Sequence, residues 1–281
     1  MNLPDRVSYS SWQSYRKGCQ WRWKLDVVDA KKSVNYGIYM DFGSCIHKAV
    51  EKYKTRKDAL TKEQASVYFE QEYRKLHAEN LDKYREKDRK LKVDDFVASG
   101  IKILDHLERC KELWDAEVVY NEHELILPID RSDGTQMNFK GYIDMVIKTK
   151  DKKGKDILYV IDFKTCSWGW DFKKKTDREL QYQLFLYKHF LSKKFNLDPK
   201  CVKTAFILLK RTPSKTADAI EFFPVNAGPA AVQQALDELN SDITDMKVRL
   251  ESDTLIKNRK ICKNDFGDVC PYFNTEHCQG E

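Results

Sequence analysis

Apolar and polar residues alternate in two neighbouring stretches near the middle of the chain, residues 141–147 and 158–164. Alternation with a period of two predicts β-strands that each bury one face. In the second stretch Asp162 and Lys164 would point to one side, whereas their β-branched and aromatic neighbours point to the other. Charged side chains embedded in such a strand are unfavourable unless they have partners. The second strand therefore predicts a charge pair that needs a further partner, such as a metal ion.

Longer patterns predict an α/β fold in which a mixed central sheet is flanked by helices. A capping-box sequence at residues 61–64 and apolar residues at helical spacing predict a helix from about residue 62 to 84. Further helices are predicted at 93–115, 178–195 and 229–251, strands at 124–129, 139–147, 158–164, 202–210 and 220–225, and turns at 132–134 and 152–154. We expect a single domain over residues 1–281, with a helical insertion at about 54–118 and a tail at about 258–281.

Carboxylates on both central strands suggest metal-assisted hydrolysis of phosphodiester bonds. Asp144 lies in the first strand, and Asp162 and Lys164 lie in the second. Two carboxylates can hold Mg²⁺ or Mn²⁺ with a neighbouring carbonyl and water, and a lysine can position or activate the attacking water. Glu122 and Glu124 stand at the beginning of the predicted sheet, where one is an accessory acidic ligand or both are ordinary exposed residues. The alternative for the charge pair is a structural hairpin with a salt bridge.

Four short motifs follow one another along the chain. They are Phe42-Gly43-Ser44-Cys45-Ile46-His47, Gly141-Tyr142-Ile143-Asp144, Asp162-Phe163-Lys164 and Gln181-Tyr182-Gln183-Leu184-Phe185-Leu186-Tyr187. Their order and spacing resemble those of the RecB-like branch of the PD-(D/E)xK nucleases, and the resemblance implies a restriction-endonuclease-like core. It further implies that a divalent ion is bound by His47, Asp144, Asp162 and the main-chain carbonyl of Phe163. The catalytic set that it implies is Asp144, Asp162, Lys164, Gln183 and Tyr187. The residues themselves predict a turn at Gly43 that leads into the helix of His47, and one shared helix face for Gln183 and Tyr187, which are four residues apart.

The charge balance favours nucleic acid as the partner. The chain has 50 Lys and Arg against 44 Asp and Glu, a formal net charge of +6. Lysine-rich runs occupy residues 83–92, 148–155 and 173–175, although such runs are often only solvated surface. The third run follows three aromatic residues that would either stack on the bases of single-stranded DNA or belong to the core, namely Trp168, Trp170 and Phe172. We expect DNA, single-stranded or with free ends, as the substrate.

The eight cysteines fall into two groups. The first group, which fits small buried residues, consists of Cys45, Cys110, Cys166 and Cys201. The second group consists of Cys19 and three cysteines of the tail, Cys262, Cys270 and Cys278. The second group resembles the four ligands of a 4Fe-4S cluster in phage-type and CRISPR-adaptation iron–sulfur exonucleases, except that Gly267 stands where the usual pattern has a cysteine. A Zn²⁺ site and four reduced, unligated thiols are the alternatives.

The residues and the resemblance together predict a divalent-metal-dependent DNA exonuclease of recombination, repair or phage DNA metabolism. A site-specific endonuclease and a non-catalytic DNA-binding accessory module of recombination are the alternatives. The sequence has no phosphate-binding loop of a nucleotide-driven motor, so any unwinding would come from a recombination or helicase protein partner or would be unnecessary. No stretch approaches the roughly 20 apolar residues of a membrane span, and no cleavable leader is evident. We expect an intracellular, cytoplasmic protein of a bacterial or phage-infected cell.

Overall fold

The structure, a computed structural model, describes residues 3–31, 37–55, 57–214, 218–263 and 269–279. The chain divides into two compact units. Unit 1 comprises Met1–Asn35, Ile126–Gly141 and Ala230–Glu281, and unit 2 comprises Tyr36–Leu125 and Tyr142–Pro229. Parts of the predicted insertion and tail, residue 56, residues 264–268 with Gly267, and residues 280–281, lie outside the described residues. Among the helices of the described ranges, none is long and apolar enough to span a lipid bilayer.

Strands and helices alternate along much of the chain. In chain order the strands are β1 (Arg6–Ser8), β2 (Glu117–Pro128), β3 (Asn138–Lys150), β4 (Asp156–Cys166), β5 (Val202–Lys210) and β6 (Ile220–Val225). The helices are α1 (Tyr9–Arg16), α2 (Gln20–Trp23), α3 (Ile38–Tyr53), α4 (Lys62–Asn80), α5 (Glu86–Arg89), α6 (Val93–Leu107), α7 (Lys111–Trp114), α8 (Phe172–Lys175), α9 (Arg178–Lys194) and α10 (Pro229–Ser252). A π-helical segment at Lys24–Val28 follows α2, and 3₁₀ turns occupy Leu81–Lys83, Pro199–Cys201 and Arg259–Ile261.

The strands form one mixed sheet, as predicted. Its order is β1-β3-β4-β5-β6, and β2 also pairs with β3. The pairs β1–β3 and β4–β5 are parallel, whereas β3–β4 and β5–β6 are antiparallel. Strands β5 and β6 have the predicted bounds, and the two predicted turns contain Gly134 and Gly154 at φ of 72° and 78°. The predicted α/β fold, a mixed sheet flanked by helices, is confirmed.

In unit 2, helices α3, α4 and α6 pack around aromatic rings. The capping box predicted for α4 is present: Thr61 Oγ1 accepts a hydrogen bond from the Gln64 N–H, and the Gln64 side chain accepts one from the Thr61 N–H. Phe69 of α4 lies edge-on to Phe42 of α3, with ring centroids 5.6 Å apart. A Cβ atom at Gly100 of α6 would lie 2.0 Å from the Phe69 ring. The close packing of α4 on α6 therefore requires glycine at this position.

Two predictions about helices are wrong in detail. The helix expected over 93–115 ends at Leu107, and the separate short helix α7 follows it. Leu107 and Leu113 are both fully buried, so the apolar stripe continues although the backbone changes direction between them. Gly43, expected in a turn before the helix of His47, lies inside α3.

In unit 1, charge-assisted hydrogen bonds join α1 to α10. Trp12 Nε1 donates to Asp242 Oδ2 at 2.6 Å. Arg16 donates to Asp242 at 2.7 Å and to Glu238 at 2.5 Å. Hydrogen bonds to charged groups contribute about 1.5–3 kcal/mol each when they are partly buried. These contacts hold the beginning of the chain on its last long helix, and they keep Cys19 in the same unit as the cysteines of the tail.

Candidate active site

Asp144 and Asp162 are brought together by the register of β3 and β4. The pairing extends to Met145 opposite Ile161, so the next position places Asp144 opposite Asp162. Residues that face each other in antiparallel strands share one side of the sheet, with Cβ atoms about 4.5–5.5 Å apart. The main-chain N–H of Phe163 donates to Asp144 Oδ2 at 2.7 Å, which orients this carboxylate. Both predicted carboxylates therefore lie on one face of the sheet.

Lys164 connects these carboxylates to α9. Its Nζ atom lies 2.7 Å from Asp162 Oδ2 and donates to Gln183 Oε1 at 2.9 Å. Gln183 in turn donates through Nε2 to the Tyr187 hydroxyl at 3.1 Å. Gln183 and Tyr187 are four residues apart on one helix, and this spacing places them on the same face. Side chains from two separate motifs thus form one chain of polar contacts.

His47 reaches the same region from α3. Its Nδ1 atom is 3.9 Å from Asp144 Oδ2, and its ring packs edge-on against Phe163 with centroids 5.7 Å apart. Gly43, one turn earlier, allows α3 to approach β4, since a Cβ atom there would lie 3.3 Å from Thr165 Oγ1. The packing of helix against strand therefore positions the imidazole beside the carboxylates.

Burial shifts the pKa values of Asp162, Asp144 and His47 in the direction that favours the neutral form of each side chain. Loss of hydration raises the pKa of Asp162 to about 6, an effect that the Asp144 charge strengthens and Lys164 opposes. Loss of hydration also raises the pKa of Asp144 to about 6. Burial lowers the pKa of His47 to about 4, so its imidazole is neutral at neutral pH, which is the form that ligates metals. Lys164 alone does not compensate for the two buried carboxylates.

Glu51 is a residue of this centre that the motif analysis did not select. It lies four residues after His47 on α3. Burial raises the pKa of Glu51 to about 8, and the charges of Glu122 and Asp144 add to this effect. The spacing of four residues from His47 is the sequence signal that points to Glu51, because such residues share a helix face.

Glu122 approaches the same centre from β2. Its charge raises the pKa of both Glu51 and Asp144, and its φ of 45° is in the left-handed region, which is unfavourable for residues other than glycine. The neighbouring Glu124 instead accepts a hydrogen bond from the Tyr142 hydroxyl at 2.6 Å. Of the two glutamates at the beginning of the sheet, Glu122 is therefore the one beside the carboxylates.

The polar atoms of this centre fit a divalent metal ion. His47 Nε2 is buried and has no hydrogen-bond partner among the described residues, whereas the buried Asp162 Oδ2 has the Lys164 ammonium 2.7 Å away. Carboxylate oxygens and an imidazole nitrogen are suitable ligands for such an ion. Within the described residues, no group of three or more His, Cys, Asp or Glu side chains is spaced to hold a metal ion as the structure stands. The side chains would have to move closer together around an ion.

The second group of cysteines converges within unit 1. All eight cysteines are free thiols. Burial raises the pKa of the Cys262 thiol, and the nearby thiols of Cys270, Cys19 and Cys278 add to the effect. Cys19, Cys262 and Cys270 line a cavity of about 80 Å³, and the Asn258 N–H donates to Cys19 Sγ at 3.3 Å. Thiols are the donor type of iron–sulfur clusters and of many Zn²⁺ sites, but among the described residues no three of these cysteines are spaced to hold a metal ion as the structure stands.

The fold and this centre define a class of protein. A mixed sheet whose central antiparallel pair carries two carboxylates and a lysine, with helices packed against it, is typical of restriction-endonuclease-like enzymes. The model of the PD-(D/E)XK nuclease superfamily matches residues 6–275, and the chain belongs to that superfamily. Members of the superfamily typically use Mg²⁺ or Mn²⁺.

Solved structures show the same fold. Eleven solved chains match this one, among them the crystal structure of a candidate exonuclease from Eubacterium rectale. That structure superposes with a TM-score of 0.56 at 12% sequence identity, over 93% of this chain and 91% of the other. At this identity the similarity supports the fold alone. A search of curated proteins gave no significant match.

Proposed function

We propose that this nuclease is a divalent-metal-dependent DNA exonuclease that hydrolyses phosphodiester bonds of single-stranded DNA or at DNA ends. The observation that carries the proposal is the convergence of His47, Asp144, Asp162 and Lys164, with a buried Asp162 carboxylate and a buried His47 Nε2 that has no hydrogen-bond partner among the described residues. The motif resemblance supports an exonuclease over an endonuclease. Recombination, repair or phage DNA metabolism would be its setting.

Asp144, Asp162 and His47 would hold the ion together with the main-chain carbonyl of Phe163. A bound Mg²⁺ or Mn²⁺ polarises a phosphate oxygen and lowers the pKa of a water molecule. Because both aspartates have a pKa near 6 without metal, protons compete with the ion below that pH. Both carboxylates are ionised and available as ligands at higher pH.

Lys164 would position the attacking water and stabilise the negative charge that develops on the phosphate. Its ammonium is held between Asp162 at 2.7 Å and Gln183 at 2.9 Å. Tyr187 contacts Gln183, which contacts Lys164. We therefore assign Gln183 and Tyr187 as residues that position Lys164.

The four converging cysteines would bind a 4Fe-4S cluster in a structural role. Cys19 Sγ contacts the main-chain carbonyl of Ile256, which lies 237 residues later in the chain. A cluster ligated by Cys19, Cys262, Cys270 and Cys278 would therefore tie the two ends of unit 1 together. Crosslinks over long loops stabilise a fold mainly by restricting the unfolded chain. Zn²⁺ is the alternative ion for this site.

The first test is the degradation of end-labelled single- and double-stranded DNA with Mg²⁺ or Mn²⁺, beside an EDTA control. We expect nucleotides to be lost from one end in the parent protein and none in Lys164→Ala. Lys148→Ala is the matched control, because Lys148 is a half-exposed lysine of β3 paired with Asp156 at 2.7 Å. Asp162→Ala should abolish cleavage and keep DNA binding, since removing a carboxylate weakens metal binding but reduces repulsion of phosphate.

Three outcomes would contradict the proposal in different ways. Equal cleavage by Asp162→Ala and the parent would refute the metal site. Cleavage of covalently closed circular DNA would indicate an endonuclease, because a circle offers no end. DNA binding without cleavage in either metal would favour the accessory-module alternative.

A further inference from the structure

Two large aromatic side chains are exposed just beyond the end of β4. Trp168 is 77% exposed and Phe172 is 81% exposed, whereas Trp170 between them is only 8% exposed. Trp170 packs against Phe206 with ring centroids 5.0 Å apart. The sequence alone left open whether these aromatic residues belong to the core or to a nucleic-acid surface. The structure assigns Trp170 to the core and leaves the other two facing solvent.

Gly169 is responsible for this division. In an extended strand, residues 168 and 170 would point to the same side. Gly169 has a φ of 129°, a conformation that residues with a side chain rarely adopt. The alternation is broken at this glycine, so that Trp170 turns inward while Trp168 turns outward.

The exposed rings are carried by an anchored segment. Ser167 accepts hydrogen bonds from the Thr212 N–H at 2.7 Å and from the Arg211 guanidinium at 2.9 Å. Asp171 Oδ1 accepts a hydrogen bond from the Lys174 N–H at 2.7 Å, which caps α8. With Trp170 buried between these two points, Trp168 is presented on a segment that is held at both ends. The exposure of Trp168 is therefore fixed by the packing and hydrogen bonds of the residues on either side of it.

Three cations lie beside these rings along the chain: Lys173 and Lys174 directly follow Phe172, and Arg211 donates to Ser167, the residue before Trp168. Among the described residues, Lys173, Lys174 and Arg211 form no ion pair, whereas the adjacent Lys175 is paired with Glu221 at 2.5 Å. The guanidinium of Arg211 lies over the ring of Tyr39, 4.5 Å from its centroid. Exposed aromatic faces beside unpaired cations are complementary to stacked bases and phosphates.

The segment that carries these rings also lies close to Asp162 and Lys164 of β4. Trp168 follows Lys164 by only four residues, and four residues of chain span at most about 14 Å. Arg211 directly follows β5, whose residue Leu208 is opposite Lys164 in the parallel pair. A strand of nucleic acid bound at Trp168 would therefore reach Lys164 within a few nucleotides.

We propose that Trp168 and Phe172, with Lys173, Lys174 and Arg211, form an aromatic platform that binds single-stranded nucleic acid and leads it to Asp162 and Lys164. The leading of the strand to a reactive centre rests on the proposed function. The binding itself does not, because stacking and phosphate contacts need neither metal nor cleavage. Unpaired bases are favoured over a duplex, since only unpaired bases expose their faces to a side chain.

Binding is best measured in EDTA, by the fluorescence anisotropy of a labelled oligothymidylate that spans one single-strand site, about 4–16 nucleotides. We expect Trp168→Ala combined with Phe172→Ala to weaken binding by about 30-fold or more, because each stacked base contributes at least about fivefold. Trp168→Phe combined with Phe172→Tyr retains both rings and should bind within about threefold of the parent. Val67→Ala removes a half-exposed apolar side chain of α4 and should leave binding unchanged.

Tryptophan fluorescence provides a direct readout of contact. Of the six tryptophans, all in described ranges, Trp168 alone is exposed to this extent. Oligothymidylate should quench the fluorescence of the parent, and Trp168→Phe should lose most of this quenching while it retains binding. Binding without such a difference would place the nucleic acid elsewhere and overturn the platform.

The outcomes separate the platform from the nuclease activity. If the oligonucleotide binds through Trp168 and Phe172 but is not cleaved in any metal, the platform stands and the proposed activity falls. If the double alanine variant binds and cleaves as the parent does, the platform falls and the activity stands. Absence of oligothymidylate binding in the parent, or equal competition by a duplex of the same length, would also overturn the platform.

Discussion

Replacing Asp162 by asparagine should stabilise the metal-free protein above about pH 6. The Asp162 side chain is 3% exposed, and its pKa is raised from 3.8 to about 6, mainly by loss of hydration. Above this pH the folded protein must hold a buried carboxylate that is less well solvated than in the unfolded chain. Asparagine has nearly the same shape and no charge, so the variant avoids this cost.

The size and sign of the effect follow from the two pKa values. A rise from 3.8 to about 6 corresponds to about 3 kcal/mol between the protonation states. The folded protein holds the proton more tightly, so the cost is present above about pH 6, shrinks as the pH falls towards 3.8, and is absent below it. The gain in free energy of unfolding should be on the order of 3 kcal/mol at about pH 8 and about half of that at about pH 5.

The assay is urea unfolding of parent and variant at several pH values in EDTA, followed by circular dichroism. Asp156→Asn is the matched control, since Asp156 starts the same strand but is half-exposed and paired with Lys148 at 2.7 Å. The side-chain hydrogen bond from Lys148 lowers the pKa of Asp156, so this control should lose a little stability above that pKa. A gain for Asp162→Asn that does not change with pH would refute the reasoning.

Metal ions should make the parent protein more stable to unfolding than Asp162→Asn, the reverse of the order without metal. An ion that binds only the folded state stabilises it by about 4.1 kcal/mol at one thousand times its dissociation constant, which exceeds the advantage of about 3 kcal/mol expected for the variant. Mn²⁺ should therefore raise the stability of the parent and change Asp162→Asn much less. If the parent gains no stability from Mg²⁺ or Mn²⁺, Asp162 is only a buried carboxylate and the metal site is wrong.

Three further predictions concern the metal site, the core and the cysteines. His47→Ala should weaken Mn²⁺ binding at least about tenfold by calorimetry, whereas His77→Ala, on α4, should not; equal effects would contradict the assignment. Gly100→Ala should lower the free energy of unfolding by about 1–3 kcal/mol, because the new Cβ meets an aromatic ring at 2.0 Å; Ser99→Ala is the control. Cys270→Ser should remove iron and sulfide from protein purified without oxygen, and a colourless parent containing zinc would support the alternative ion.

Local periodicity accounts for the parts of the fold that were predictable from the sequence. The alternation in β4 correctly placed Asp162 and Lys164 on one side, and the four-residue spacing of Gln183 and Tyr187 correctly placed them on one face of α9. These relations hold within one element and follow from its geometry. The break after Leu107 was not predictable, because two short helices that bury the same stripe have the periodicity of one long helix.

Relations between distant elements were not predictable from periodicity. Glu51 and Glu122 come close only because α3 and β2 are positioned around β3, and the φ of Glu122 has no signature in the sequence. The outward turn of Trp168 depends on the conformation of Gly169. A glycine between two tryptophans permits that conformation, but the pattern alone does not require it.

The electrostatics of the centre argue against the structural hairpin with a salt bridge. In a simple ion pair Lys164 would lower the pKa of Asp162, yet burial outweighs Lys164 and the pKa rises. Asp144 and Glu51 also have raised pKa values, and Glu122 adds negative charge to both. Lys164, together with Lys48 beside Glu51, does not balance four acidic side chains, so the centre has excess negative charge above about pH 8, which destabilises the fold. A divalent cation would remove this excess, so the arrangement is better explained by metal binding than by a stabilising salt bridge.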